Sequence, residues 1–241
     1  MIQNFSQIDT YLKYNNLIHY KEKVITINHW KKSNLISKVR RGIYLPTDLL
    51  DKFKIACASV TEGVLCYHGA LEFYLLQTQE FNTLYVHSKH AFKPFTYQGI
   101  QYVYKSLAFL YKPLRIKSKD GFNINVTSLE QTIVDCIYNI NLAGGLEELL
   151  YALKDVDGKK IKEKDLLVCL KKYNIKSLYQ RCGFLISDFK NKWGLSDNFF
   201  NLCHSKSEGC VSYLVNPFYC DKFDKKWNIC FPSQTLNTLK Y

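Results

Sequence analysis

The chain lacks any long hydrophobic run. A helix that crosses a bilayer needs about 20 apolar residues in succession, so no membrane span and no membrane partner are expected. The start, Met1-Ile2-Gln3-Asn4-Phe5, lacks the basic region and apolar run of a secretory signal. A cysteine framework is also missing. The nine cysteines are odd in number and follow no repeating spacing. That pattern points to a reducing cytoplasm, where thiols serve as small buried hydrophobes. No C-x-x-C pair occurs: Cys203, His204, Cys210, Cys220 and Cys230 cluster late in the chain, but with gaps too long for an ordinary zinc site. Gly144-Gly145 has no strand before it and no third glycine, so it is no dinucleotide fingerprint. No metal or other cofactor is expected. Internal repeats, low-complexity tracts and long linkers are absent as well.

Negative charge is scarce. There are 33 Lys and Arg against 21 Asp and Glu, a formal charge of +12. Such an excess points to a polyanionic partner, although lysine-rich surfaces also serve solubility. Residues 1–54 hold 10 of the basic groups and 4 of the acidic ones. Half of the net excess therefore lies in under a quarter of the chain, which favours an N-terminal nucleic-acid-binding module. A hydrophobic content of 47% supports a real core in the remainder.

The basic segment centres on a hairpin, Leu35 to Pro46. Two β-rich runs flank Arg40-Arg41-Gly42, and Gly42 would take the positive φ that closes a three-residue loop. Ile43 and Leu45 alternate with Tyr44, as in a strand with one buried face. The tip would carry two guanidinium groups, with Lys38 just before them. Before it, Phe5, Ile8 and Leu12 predict a helix from about Ser6 to Tyr14. The stretch from Val24 to Asn34 reads two ways: Val24–Ile27 looks like a strand, whereas Thr26 could cap a short helix with Ile27 and Trp30 facing inward. If residues 1–47 bind DNA, the segment Lys31-Lys32-Ser33-Asn34 would enter or border a groove, where Asn34 could read adenine and the lysines would contact phosphates; Arg40 and Arg41 would reach the backbone or minor groove, with Lys38 as a further DNA-binding residue. The plainer reading is a solvated basic face.

Downstream, two helices are expected from Leu49 to about Leu76, broken at Glu62-Gly63. Strands are expected at Thr83–His87 and Gly99–Tyr104, a turn at Asp120-Gly121, and an exposed-edge strand at Phe122–Val126. Ser128-Leu129-Glu130-Gln131 is a capping box. It opens a helix to about Ile140 whose Leu129, Ile133, Val134 and Ile137 form a core stripe. Gly144-Gly145 then breaks the chain before a helix to Leu153. Further helices are expected at 162–173, 177–193 and 196–204, and β-rich runs at Val211–Val215 and Trp227–Phe231. Glu130 and Asp135 are too far round the helix to form an acid pair; Asp135 would bond a basic loop or a helix end nearby. Cys66, His68 and His204 share no nucleophilic motif. Lysines at 159, 160, 162, 164, 171, 172 and 176 form a second basic region, readable as a solvated helix face, a surface for an acidic partner, or an extra DNA contact.

Three segments in order resemble one family. Lys38-Val39-Arg40-Arg41-Gly42-Ile43-Tyr44 is similar to its wing, with Tyr67-His68-Gly69-Ala70-Leu71 in the helix after it. Thr127-Ser128-Leu129-Glu130-Gln131-Thr132-Ile133-Val134-Asp135-Cys136, followed by Gly144-Gly145-Leu146-Glu147-Glu148, resembles its central signature. Tyr213-Leu214-Val215 with Lys226-Trp227-Asn228-Ile229 resembles its closing hairpin. The family is the AbiEi-like antitoxins of abortive-infection operons. Gln131 stands where members usually carry Arg, and the segment before the wing is short for a complete helix-turn-helix. The resemblance implies an α+β protein: a small winged helix-turn-helix over residues 1–47 that binds inverted repeats in its own promoter, and an antitoxin domain over residues 48–241. The antitoxin domain would oppose a nucleotidyltransferase-like toxin from the adjacent gene in phage defence, with Lys171, Lys172 and Lys176 as candidate toxin-facing residues. No enzymatic activity is expected. Two rivals are a nuclease-like defence enzyme, for which no carboxylate and lysine set around a metal can be assembled from spacing, and a transcription factor whose C-terminal domain senses a ligand or dimerises.

Overall fold

The computed structural model describes residues 27–41, 43–47, 51–117 and 123–238. The expected helix at Ser6–Tyr14, the Thr26 cap, Gly42 and the turn at Asp120-Gly121 lie outside these residues. The protein is a mixed α+β protein, the fold class expected of it. It divides into two compact units. The first takes in the described residues up to Leu65, with Asn82–Ser106 and Pro113–Val126; the second takes in Cys66–Phe81, Leu107–Lys112 and the chain from Thr127 onward. Residue 47, the expected end of the DNA-binding module, lies inside the first unit.

The first unit holds a hairpin, β1 (Ile36–Arg40) with β2 (Ile43–Pro46), and a six-stranded mixed sheet. The sheet strands are β3 (Val64–Leu65), β4 (Thr83–His87), β5 (Phe95–Tyr97), β6 (Ile100–Tyr104), β7 (Leu114–Lys117) and β8 (Asn123–Val126), in the order β5-β6-β4-β3-β8-β7. β4 pairs parallel with β6, and β3 parallel with β8; the other pairs are antiparallel. Alternation is visible in β4, where Leu84 and Val86 are buried and their neighbours half-buried.

Two expectations fail here. Val64–Leu65 is a strand rather than part of a second helix, because a two-residue strand is too short to show a period. β8 is an interior strand rather than an exposed edge. Asn125 belongs there because its Nδ2 donates to Gly63 O at 3.0 Å, while its backbone N and O both meet the Cys57 thiol. The edge is β7, whose four residues are all exposed. A helix, α1 (Lys52–Ala58), packs on β8. Asp51 caps it, accepting from Phe53 N and Lys54 N at 2.9 Å. Burial pushes the Cys57 thiol up to about 11.

The second unit is mainly helical. After the short α2 (His68–Phe73), the central helix α3 (Leu129–Tyr138) is buried from Glu130 to Ile137. Ser128 Oγ accepts from Gln131 N, but only half of the expected capping box forms. The Gln131 side chain turns away to clamp the loop at residues 107–112, accepting from Tyr111 N and donating to Phe109 O, each at 2.8 Å. Gly144 and Gly145 have φ of +96° and +103°, so they end one helical segment and start α4 (Leu146–Asp155) as expected.

Next come α5 (Glu163–Tyr173) and α6 (Lys176–Ile186). The helix expected to run to residue 193 stops at 186; a 3₁₀ turn and α7 (Lys190–Trp193) follow. α8 (Asp197–Lys206) is capped by Ser196. A three-stranded sheet follows, β9 (Ser212–Tyr213), β10 (Lys222–Asp224) and β11 (Ile229–Phe231), before a short α9 (Ser233–Thr238). The expected closing hairpin is not one: β9 pairs parallel with β11, and the antiparallel partner of β11 is β10. Among the described residues, no helix is long and apolar enough to cross a membrane.

Candidate nucleic-acid interface

The open choice at residues 24–34 falls to a helix where it is described. Residues 27–32 are helical, and Trp30 packs with Ile27, Ile36 and Tyr44. Those four side chains join the helix and hairpin into one packed piece. Asn34 has φ +54°, a left-handed conformation that Asn tolerates better than most residues. It closes the helix: Asn34 N donates to Lys31 O at 3.1 Å and Leu35 N to Trp30 O at 2.9 Å, the paired bonds of a Schellman end. Lys31, Lys32, Ser33 and Asn34 are all exposed there. The hairpin base is fastened by Thr47 N donating to Leu35 O and by Ser37 Oγ against Thr47 Oγ1 at 3.0 Å.

The hairpin tip differs from its expected form. β1 extends through Arg40, which pairs with Ile43, and the register slips between Lys38 and Arg40. Val39 is the extra residue of this bulge. The bulge lets Ile36 and Val39, three residues apart, both be buried. Arg40 is therefore a strand residue. Its guanidinium lies over the rings of Phe92 and Phe95, 5.7 and 5.5 Å from their centroids, and its Nε is buried without a hydrogen-bond partner. Phe95 stacks in turn on its cross-strand partner Tyr102 at 4.8 Å, and Phe92 meets Tyr104 edge-on at 5.7 Å. Arg40 thus fastens the hairpin to the sheet. Lys38 and Arg41 remain exposed beside it. Phe92 and Phe95 were not among the expected site residues, and neither was exposed Lys93 between them. A contact between residues more than 50 positions apart leaves no local signal.

The candidate toxin-facing lysines lie in the second unit. Lys171 and Lys172 occupy the last turn of α5, where cations complement the helix dipole. Lys172 Nζ sits 5.4 Å above the Phe109 ring, and Lys176 Nζ donates to Glu208 O at 3.3 Å.

The remaining chemical groups are dispersed. Cys66 is fully buried; His68 Nε2 lies 3.3 Å from Glu148 Oε1; exposed His204 lies 3.2 Å from Lys226 O. Glu148 also accepts from Thr78 N and Oγ1 and from Gln79 N, which ties the Gly144–Glu148 segment to residues 78–79. Among the described residues, no group of three His, Cys, Asp or Glu could hold a metal ion. Glu130 accepts from Lys162 N, and Asp135 accepts from the Tyr173 hydroxyl at 2.7 Å, so the two carboxyls serve separate contacts. Tyr173 is the last residue of α5, so Asp135 does meet a helix end, through a side chain. Burial pushes the Asp135 carboxyl up to about 7, with bonds from Tyr173 and Gln131 opposing the rise.

No protein-family model matches the chain, and no curated protein matches it.

Proposed function

We propose that the protein is a DNA-binding transcriptional regulator with an antitoxin role, and that duplex DNA is held by the helix at residues 27–32 and the β1–β2 hairpin. The observation that carries this reading is the joint exposure of Lys31, Lys32, Ser33, Asn34, Lys38 and Arg41 on one packed piece. Lysines at a helix end and an arginine at a hairpin tip suit phosphate contact, and Asn34 offers the donor and acceptor pair that adenine accepts. Arg40 serves by holding the hairpin in place.

The antitoxin role rests on the sequence resemblance of residues 127–148. Those residues are largely core in the second unit, so this part of the reading draws on no exposed site. The test is a titration of the DNA upstream of the gene at several salt concentrations. Each phosphate contact contributes about −0.9 to the log–log slope on B-DNA. Replacing Lys31, Lys32, Lys38 and Arg41 by Ala should flatten that slope. In cells, the same variant should lose repression of its own promoter yet still rescue growth from the neighbouring toxin. Loss of rescue with retained fold would join the two activities in one surface.

A further inference from the structure

The second unit contains a cavity of about 570 Å³ that the DNA-binding reading does not use. Its size is in the range of small-ligand sites. Part of the wall is aromatic: Phe184 from α6 and Phe231 from β11 meet at 5.2 Å, and Phe189, stacked on Trp193, also lines the cavity. All three residues are half-buried. Lys154, Lys222 and Lys226 also line the cavity, and all three are exposed. They come from the end of α4, from β10 and from the turn before β11. Among the described residues, no carboxylate lies in ion-pair distance of any of them. Two acids share the lining. Asp224 is committed to its own turn, accepting from Trp227 N at 2.7 Å, and Asp188 is exposed. Below, Gly183 seats the Trp227 indole so closely that an added Cβ would lie 2.1 Å from the ring, which fixes the floor.

Aromatic walls suit a flat ring, and three cations from separate elements suit a charged group spread over several oxygens. We propose that this cavity binds a nucleoside phosphate, its base against Phe184 and Phe231 and its phosphates at Lys154, Lys222 and Lys226. The site is independent of the hairpin and does not require it to bind DNA.

Calorimetric titration of the full chain with ATP, AMP, adenosine and tripolyphosphate tests the proposal. ATP should bind more tightly than AMP, and each more tightly than adenosine or tripolyphosphate alone. Lys222→Ala combined with Lys226→Ala should weaken ATP about tenfold or more. These lysines are exposed, so the fold should be unaffected, as circular dichroism will check. Phe231→Leu should weaken ATP and leave tripolyphosphate unchanged. Absence of ATP binding at millimolar concentration would overturn the proposal. So would tripolyphosphate binding as tightly as ATP, which would reduce the site to an unspecific basic surface. Lys31→Ala with Lys32→Ala, in the first unit, should leave ATP binding unchanged.

Discussion

Asp135 should make the stability of this protein fall as pH rises from about 4 to about 7. The side chain has no solvent exposure; its Oδ1 accepts from the Tyr173 hydroxyl, and with Gln131 this bond only partly offsets the loss of water. Oδ2 is buried without a partner. Desolvation therefore dominates and raises the carboxyl from its usual 3.8 to about 7. In the unfolded chain the group ionises near 4; in the folded chain it keeps its proton until near 7. Between those values the folded state binds more protons, so unfolding becomes easier with each rise in pH. The full difference corresponds to about 4 kcal/mol. Asp135→Asn removes the ionisation while keeping an oxygen for Tyr173. Urea unfolding followed by circular dichroism at pH 4.5, 6 and 7.5 reads the effect. Relative to the parent chain, the variant should gain stability steadily as pH rises and should lose the pH slope that Asp135 contributes. Parallel pH profiles for the two proteins would refute the reasoning.

Three other substitutions follow from the packing. Gly183→Ala drives a methyl into the Trp227 ring; overpacking of this kind costs about 1–3 kcal/mol, which should lower Tm by roughly 3–10 °C in calorimetry. Gln180 is fully buried and donates to the carbonyls of Cys210, Trp227 and Asn228, so Gln180→Leu should cost about 2–3 kcal/mol in denaturant unfolding, with normal stability counting against this role. Arg40→Lys keeps the charge but loses the planar guanidinium over Phe92 and Phe95, so DNA affinity should fall nearly as far as in Arg40→Ala; full retention by the lysine variant would make Arg40 a phosphate contact instead.

Local pattern was legible and pairing was not. The alternation in Thr83–His87 marks a strand with those bounds, and the stripe through Ile133, Val134 and Ile137 marks the central helix, because each period is written in adjacent residues. Gly144 and Gly145 announce their break for the same reason. The rest depends on partners distant in sequence. Asn-rich β8 reads as an edge until Gly63 and Cys57 are seen beside it. The parallel pairing of β9 with β11 depends on β10 lying beyond β11, which neither run records. Gln131 fits a capping box in sequence, yet its amide is drawn to residues 109 and 111. At the candidate interface, Lys31, Lys32, Lys38 and Arg41 are exposed as their charge suggests. The bulge at Val39 shifts the strand by one residue and puts Arg40 in β1 rather than in the loop at the tip.

If the helix end and hairpin hold duplex DNA through its phosphates, salt must weaken the complex steeply. The direct measurement is the affinity for the upstream DNA as a function of salt, with the parent chain and with Lys31, Lys32, Lys38 and Arg41 all changed to Ala. The predicted result is a steep slope for the parent, and for the variant a slope shallower by about 0.9 for every phosphate it no longer neutralises. Equal slopes for the two proteins, or a parent affinity insensitive to salt, would contradict DNA binding at this surface.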